Sequence, residues 1–237
     1  MSTTQSLPEP PTPAGWWSAT IERAQLIQLL KKRDAPGLIL FLVWILAVAA
    51  TTWALAALWG SVWAAPMLVV QGAVLSFAYA ASHECAHSTA FRSRWLNEAV
   101  YYVTSFVFME EPMNRRYSHG RHHAYTWYHG FDSQMPYRNP MTLRVYLAET
   151  LGFTAFAAAF VQLARFARGK LRNEELAFIP ASRVAQLTWG ARGFLLGYAA
   201  IVLASVMSRS WFPVTAFFGA RLAGRWVVHM FINSLHM

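Results

Sequence analysis

From Ala35 to His83 the chain carries no Asp, Glu, Lys or Arg. Soluble domains spend about a quarter of their residues on charge, whereas here the charged fraction is 13% of 237 residues and the hydrophobic fraction 56%. A membrane-crossing helix needs roughly 20 apolar residues, so the uncharged run is long enough for two. The expected spans lie near Gly37–Leu58 and Val62–Ala81, joined by a short turn at Gly60 and Ser61. A third apolar stretch covers Gly193–Met207, and a fourth runs from Trp211 towards the C-terminus. Ala99–Met109 is apolar but too short to cross. Val145–Leu163 is nearly long enough, yet it contains Glu149, and a crossing there would export Arg165, Arg168, Lys170 and Arg172. It is therefore expected to lie in the interface, or to dip in and return. The expected fold is an all-α membrane protein with about four transmembrane helices plus interfacial helices.

Charge then sets orientation. Four basic residues (Arg23, Lys31, Lys32, Arg33) precede the first span, and thirteen more lie between Arg92 and Arg192. The turn between the first two spans has none, and the turn between the last two has only Arg209. The positive-inside rule places the N-terminus and the long central segment in the cytoplasm. The net charge of +9 is thus a topology signal and an attraction to anionic headgroups. It is not a nucleic-acid footprint, because the basic residues flank apolar spans. Residues 1–34 read as a disordered, proline-rich tail followed by a basic interfacial helix carrying Trp16, Trp17, Ile21, Leu26, Ile27 and Leu30. Residues 35–237 read as one membrane domain. The single cysteine, Cys85, excludes an internal disulfide and fits a reducing compartment.

Two histidine clusters follow the second span: His83-Glu84-Cys85-Ala86-His87 and His119-Gly120-Arg121-His122-His123. Neutral imidazole is the commonest transition-metal ligand. If the second span continues as a helix past Ala81, His83 and His87 stand at i and i+4 and share a face. His119 pairs likewise with His123 at i+4 and with His122 at i+3. His122 and His123 diverge by about 100° on a helix of 3.6 residues per turn, an arrangement that suits two metals better than one. The first cluster also spells the zinc-protease pattern H-E-x-x-H, so a membrane zinc hydrolase is an alternative. That pattern leaves the second cluster unexplained.

The pair His83-Glu84-Cys85-Ala86-His87 and Tyr117-Ser118-His119-Gly120-Arg121-His122-His123 resembles the first two histidine boxes of membrane fatty-acid desaturases. The likeness is greatest to the acyl-lipid class, whose boxes read H-E-C-G-H and H-x-x-H-H, and the four-span layout is similar too. The resemblance implies two iron ions, O2 as co-substrate, and an acyl chain or membrane lipid as substrate. Electrons would come from an external ferredoxin, rubredoxin or cytochrome b5-type donor. It implies that His83, His87, His119, His122 and His123 are catalytic iron ligands, on the cytoplasmic side of a multi-pass protein. Glu84 would accept the outer N–H of a ligand imidazole, Cys85 would be a packing residue, and His129 a non-ligand. Asp132 is a candidate acceptor behind a ligand imidazole, with a solvated loop aspartate the favoured reading.

Asn233-Ser234-Leu235-His236 resembles the asparagine-serine stretch near a ligand histidine on the last span of acyl-CoA desaturases. It makes Asn233 a supporting residue and His236 a sixth candidate ligand, with His229 weaker. At roughly 1.5 Å per residue from Trp211, His229 lies about 27 Å along that helix and His236 about 37 Å. Arg221 and Arg225 would then sit inside the hydrocarbon, a costly placement. The family's third box, another H-x-x-H-H, is not found before Met237. The domain is therefore expected to be C-terminally incomplete and inactive alone, or to be a non-catalytic lipid-binding remnant.

Overall fold

The structure, a computed structural model, describes residues 21–126, 128, 130–134 and 142–235, with the backbone alone for 231–235. The proposed tail before Gly15, Trp16, Trp17, His129 and His236 fall outside the described residues. Two compact units separate at Lys31 and Lys32. In the first, α1 spans Arg23–Leu29 and presents Leu26, Ile27 and Leu29 on its surface.

The second unit holds the remaining elements: α2 Asp34–Ala57, α3 Ala64–Ser76, α4 Ala78–Ala86, α5 Arg94–Phe108 and α6 Pro112–Ala124. After these come α7 Leu143–Leu151, α8 Phe153–Ala167, α9 Asn173–Leu176 and α10 Val184–Met207. The chain closes with α11 Phe212–Val214, a π turn at Thr215–Gly219, α12 Ala220–Ala223 and α13 Arg225–Leu235. Every regular element among the described residues is helical, as the uncharged run and the need to satisfy backbone groups internally demand.

Three helical runs are long and apolar enough to cross a membrane: α2, the run Ala64–Ala86 formed by α3 and α4, and Ala181–Met207 with α10. On α2 only Leu55 is buried, while Ile39, Leu40, Leu46 and Trp53 lie exposed. An apolar surface of that extent is stable against lipid and a liability in water. The polar groups within these runs pair across helices. Gln71 Nε2 donates to Thr52 Oγ1 at 2.8 Å and Trp44 Nε1 to the Val74 carbonyl at 2.9 Å, tying α3 to α2.

Two expectations change. The third run begins at Ala181, well before Gly193, because Arg192 turns its Nε to the Ala167 carbonyl at 2.9 Å and stacks over Trp189. The stretch from Trp211 is not one continuous helix. It opens at Phe212, passes through the π turn and breaks at Gly224. There α12–α13 crosses α3 so closely that a Cβ on Gly72 would overlap the Ala220 carbonyl and the Gly224 backbone. Ser76 Oγ seals the crossing by donating to the Gly72 and Gly224 carbonyls. A fourth long apolar run instead appears as α7 and α8, bent by 60° at Gly152, whose φ of 72° places it in the left-handed region. The bend fits a segment that dips in and returns, or a broken span.

The two arginines that the hydrocarbon would penalise are also accounted for. Arg221 donates from Nε and Nη2 to the Val107 and Phe108 carbonyls at 3.1 and 3.2 Å, capping α5. Arg225 approaches Glu149 at 3.9 Å, so the charge that argued against a crossing at α7 meets one on α13.

Candidate metal centre

Three helices set the site. On α5 the residues Asn97, Val100, Tyr101, Thr104, Ser105 and Phe108 are buried, the spacing of one helical face. Asn97 Nδ2 donates to the Cys85 carbonyl at 2.9 Å, and Cys85, Ala86, Phe91, Val100 and Tyr101 form a core cluster locking α4 against α5. Tyr101 donates its hydroxyl hydrogen to the Pro112 carbonyl at 2.8 Å, placing the start of α6. Arg116 grips Glu98 with both terminal nitrogens, at 3.2 and 2.7 Å, pinning α6 along α5. Glu111 caps α6 by accepting from the Asn114 N–H at 2.7 Å, a preferred way to satisfy a free helix-start donor.

Helix α4 then delivers His83 from its last turn and His87 at its C-cap; α6 delivers His119 and His123. One ligand atom from each of these four lies within 4.8 Å of every other. His87 Nε2 and His123 Nε2 stand 3.0 and 3.1 Å from His119 Nε2. Two nitrogens at about 2.1 Å from one ion and at right angles are separated by about 3.0 Å. These two separations fit donors to one shared ion, and the four residues together form a group that could hold a metal.

The outer nitrogens determine which lone pairs face inward. His119 Nδ1 lies 3.0 Å from Gln134 Oε1; an amide oxygen only accepts, so Nδ1 carries the hydrogen and Nε2 the lone pair. Gln134 is oriented by donating its own Nε2 hydrogen to Ser118 Oγ at 3.1 Å. His122 Nδ1 donates to Asp132, 2.9 Å from both carboxylate oxygens. His83 Nδ1 is 3.4 Å from Glu84 Oε1, and Glu84 Oε2 accepts from Thr89 Oγ1 at 3.0 Å. Such outer acceptors fix the tautomer and orientation of ligand imidazoles.

Electrostatics favour the ligating form. His119 is buried and faces the charge of Arg115, and these two causes, burial first, push its imidazole down to about 2. It stays neutral, as a metal ligand must. Arg115 is itself buried, pairs with Glu110 at 3.0 Å and lies over the Tyr79 ring, 5.1 Å from its centre.

The structure thus brings His83, His87, His119 and His123 together and leaves two of the expected ligands elsewhere. His122 shares α6 but stands outside the convergent group, its ring centre 5.9 Å from that of His119. His229 is buried against Tyr146, and its Nδ1 lies 2.8 Å from Thr150 Oγ1. It joins α13 to α7 and is not among the four. Asn233 lies in α13, with its backbone alone described.

Asp132 is a correction. Its side chain is 1% exposed, not solvated, because the loop is strapped back onto α6. Arg121 Nε donates to the Phe131 carbonyl at 2.6 Å and Ser133 Oγ to the Ser118 carbonyl at 2.7 Å. Gln134 and Arg115 belong to no spacing pattern, so the sequence carries no signal for either. The family model described as Fatty acid desaturase matches residues 63–236, more than half of the chain and inclusive of both histidine clusters. No curated protein and no solved structure matches.

Proposed function

The chain belongs to the fatty acid desaturase family, and on that premise we propose that it is an O2-dependent oxidoreductase acting on lipid acyl chains. The observation that carries this reading is the convergence of four imidazoles from two separate boxes. His83, His87, His119 and His123 would hold one iron, and His122, backed by Asp132, would begin the site of a second. Iron bound there supplies O2 activation and removal of hydrogen from an unactivated acyl C–H bond.

The protein's own part is to hold and orient. Gln134, Asp132 and Glu84 act on the outer ring nitrogens, while burial and the Arg115 charge keep the His119 imidazole neutral. His83 lies in the last turn of the apolar run Ala64–Ala86 and His87 follows it directly, which supports a cluster at the membrane edge, within reach of an acyl chain. We further propose that both boxes face the cytoplasm, where the basic residues lie, and that a ferredoxin, rubredoxin or cytochrome b5-type protein delivers electrons there. The zinc-hydrolase reading of His83-Glu84-x-x-His87 needs only one further ligand and leaves His122 and its Asp132 partner without a role.

Metal analysis of the purified chain after growth with iron and zinc tests the proposal, together with acyl-chain analysis of the expressing host. The expected result is bound iron, lost in His119→Ala, and a rise in unsaturated or hydroxylated acyl chains in the wild type alone. A single bound zinc, or little metal with an unchanged lipid profile, would overturn it.

A further inference from the structure

A cavity of about 130 Å³ lies between the end of α5, the Gly152 bend and α12–α13. Phe108, Phe156 and the small Ala155 form apolar walls, and Glu110, Arg221 and Arg225 line it with charge. A cavity of this size holds several waters, or a small acidic group and its first methylenes.

The charges do not cancel within the cavity. Glu110 already pairs with Arg115 at 3.0 Å. Arg221 gives Nε and Nη2 to backbone carbonyls and forms no ion pair among the described residues. Arg225 comes only to 3.9 Å from Glu149, beyond hydrogen-bond length, and its Nε is buried without a hydrogen-bond partner. A guanidinium left so in apolar surroundings is unfavourable. Water would satisfy the N–H, but Glu149 at 3.9 Å offsets only part of the Arg225 charge, and no ion pair among the described residues offsets that of Arg221. An anion with an apolar stem would satisfy both the charge and the aromatic walls.

We infer that this cavity seats the anionic head of a lipid, a carboxylate or a phosphodiester held by Arg225 and Arg221, with its first methylenes against Phe108 and Phe156. The site is distinct from the histidine cluster and needs no metal, so its failure and that of the proposed activity are separable.

Binding of two lipid pairs to the full chain in neutral detergent tests the inference: oleate against methyl oleate, and phosphatidylglycerol against diacylglycerol. Each pair keeps the chains and removes the charge. The charged member of at least one pair should bind about tenfold more tightly. Preference in the first pair alone identifies a carboxylate, and in the second alone a phosphodiester. Arg225→Gln should abolish the preference. Ala155→Leu, which keeps every charge but fills the space, should weaken the charged lipid to the level of its neutral counterpart. Arg168→Gln, at an exposed arginine outside the cavity, should change nothing. Equal binding within both pairs, unaltered binding in Ala155→Leu, or a loss in Arg168→Gln as large as in Arg225→Gln would each overturn it.

Discussion

At the scale of single residues, Gln134 matters to the imidazole cluster because it chooses the His119 tautomer, and Asp132 does the same for His122, the proposed start of a second site. Removing the acceptor frees the ring to turn or to place its hydrogen on the inward nitrogen. Gln134→Ala and Asp132→Ala should each weaken metal binding by roughly 10–100-fold, measured by chelator competition, and Gln134→Glu should retain most of the affinity. Unchanged affinity in both alanine variants would deny them the orienting role. His229 supplies the contrast. His229→Ala should leave metal content intact while lowering the melting temperature, since its ring joins α13 to Thr150 and Tyr146; His123→Ala should do the reverse. Both histidine pairs were legible from spacing, because i and i+4 share a helix face wherever the helix goes. The supporting glutamine was not, because its contact depends on how a loop folds back.

At the scale of elements, the crossing of α3 with α12–α13 rests on two glycines. Gly72→Ala should destabilise by about 1–3 kcal/mol, the usual cost of overpacking, since the Cβ would meet backbone that cannot yield. Gly193→Ala on α10 meets nothing within 4 Å and should be neutral or stabilise by up to about 1 kcal/mol. Thermal unfolding in detergent reads both, and equal shifts would refute the close crossing. The α5–α6 corner carries a pH dependence. Burial raises the Glu111 carboxyl to about 7, against the lowering effects of the Asn114 and Met113 N–H groups and the Arg116 charge. A raised carboxyl pKa means that the folded state holds the proton more tightly than the unfolded chain. Stability should therefore fall as pH rises from about 4.5 to about 7, by at most roughly 1.4 kcal/mol per unit, and level off above. Glu111→Gln, which still accepts from Asn114, should flatten that slope in unfolding measured from pH 5 to 8.

At the scale of the whole molecule, the unsettled element is the bent pair α7–α8, and charge decides its side. The basic residues after α8 favour its return to the side it left. Cysteine placed at Val62, 84% exposed, should react with an impermeant reagent on intact cells. Cysteine at the exposed Arg168 should react only after permeabilisation. Native Cys85 is buried and adds little background. External labelling at position 168 would make α7–α8 a true crossing and reverse the orientation of α10.

Hydropathy, charge asymmetry and histidine spacing are additive, local properties of the chain. They were enough to establish an all-helical membrane protein, the presence of its first two long helical runs with the turn between them, and the histidine pairs that share a face. The features that stayed hidden depend on partners far apart in sequence. Arg221 is tolerable because it caps α5, Arg225 because Glu149 comes near, and the stretch from Trp211 breaks because Gly224 must meet Gly72. His83 and His119 become one site only when α5 holds α4 and α6 side by side. Tertiary structure decided these matters because the energy of a buried polar or charged group is set by whatever the fold brings to it, which no window of sequence contains.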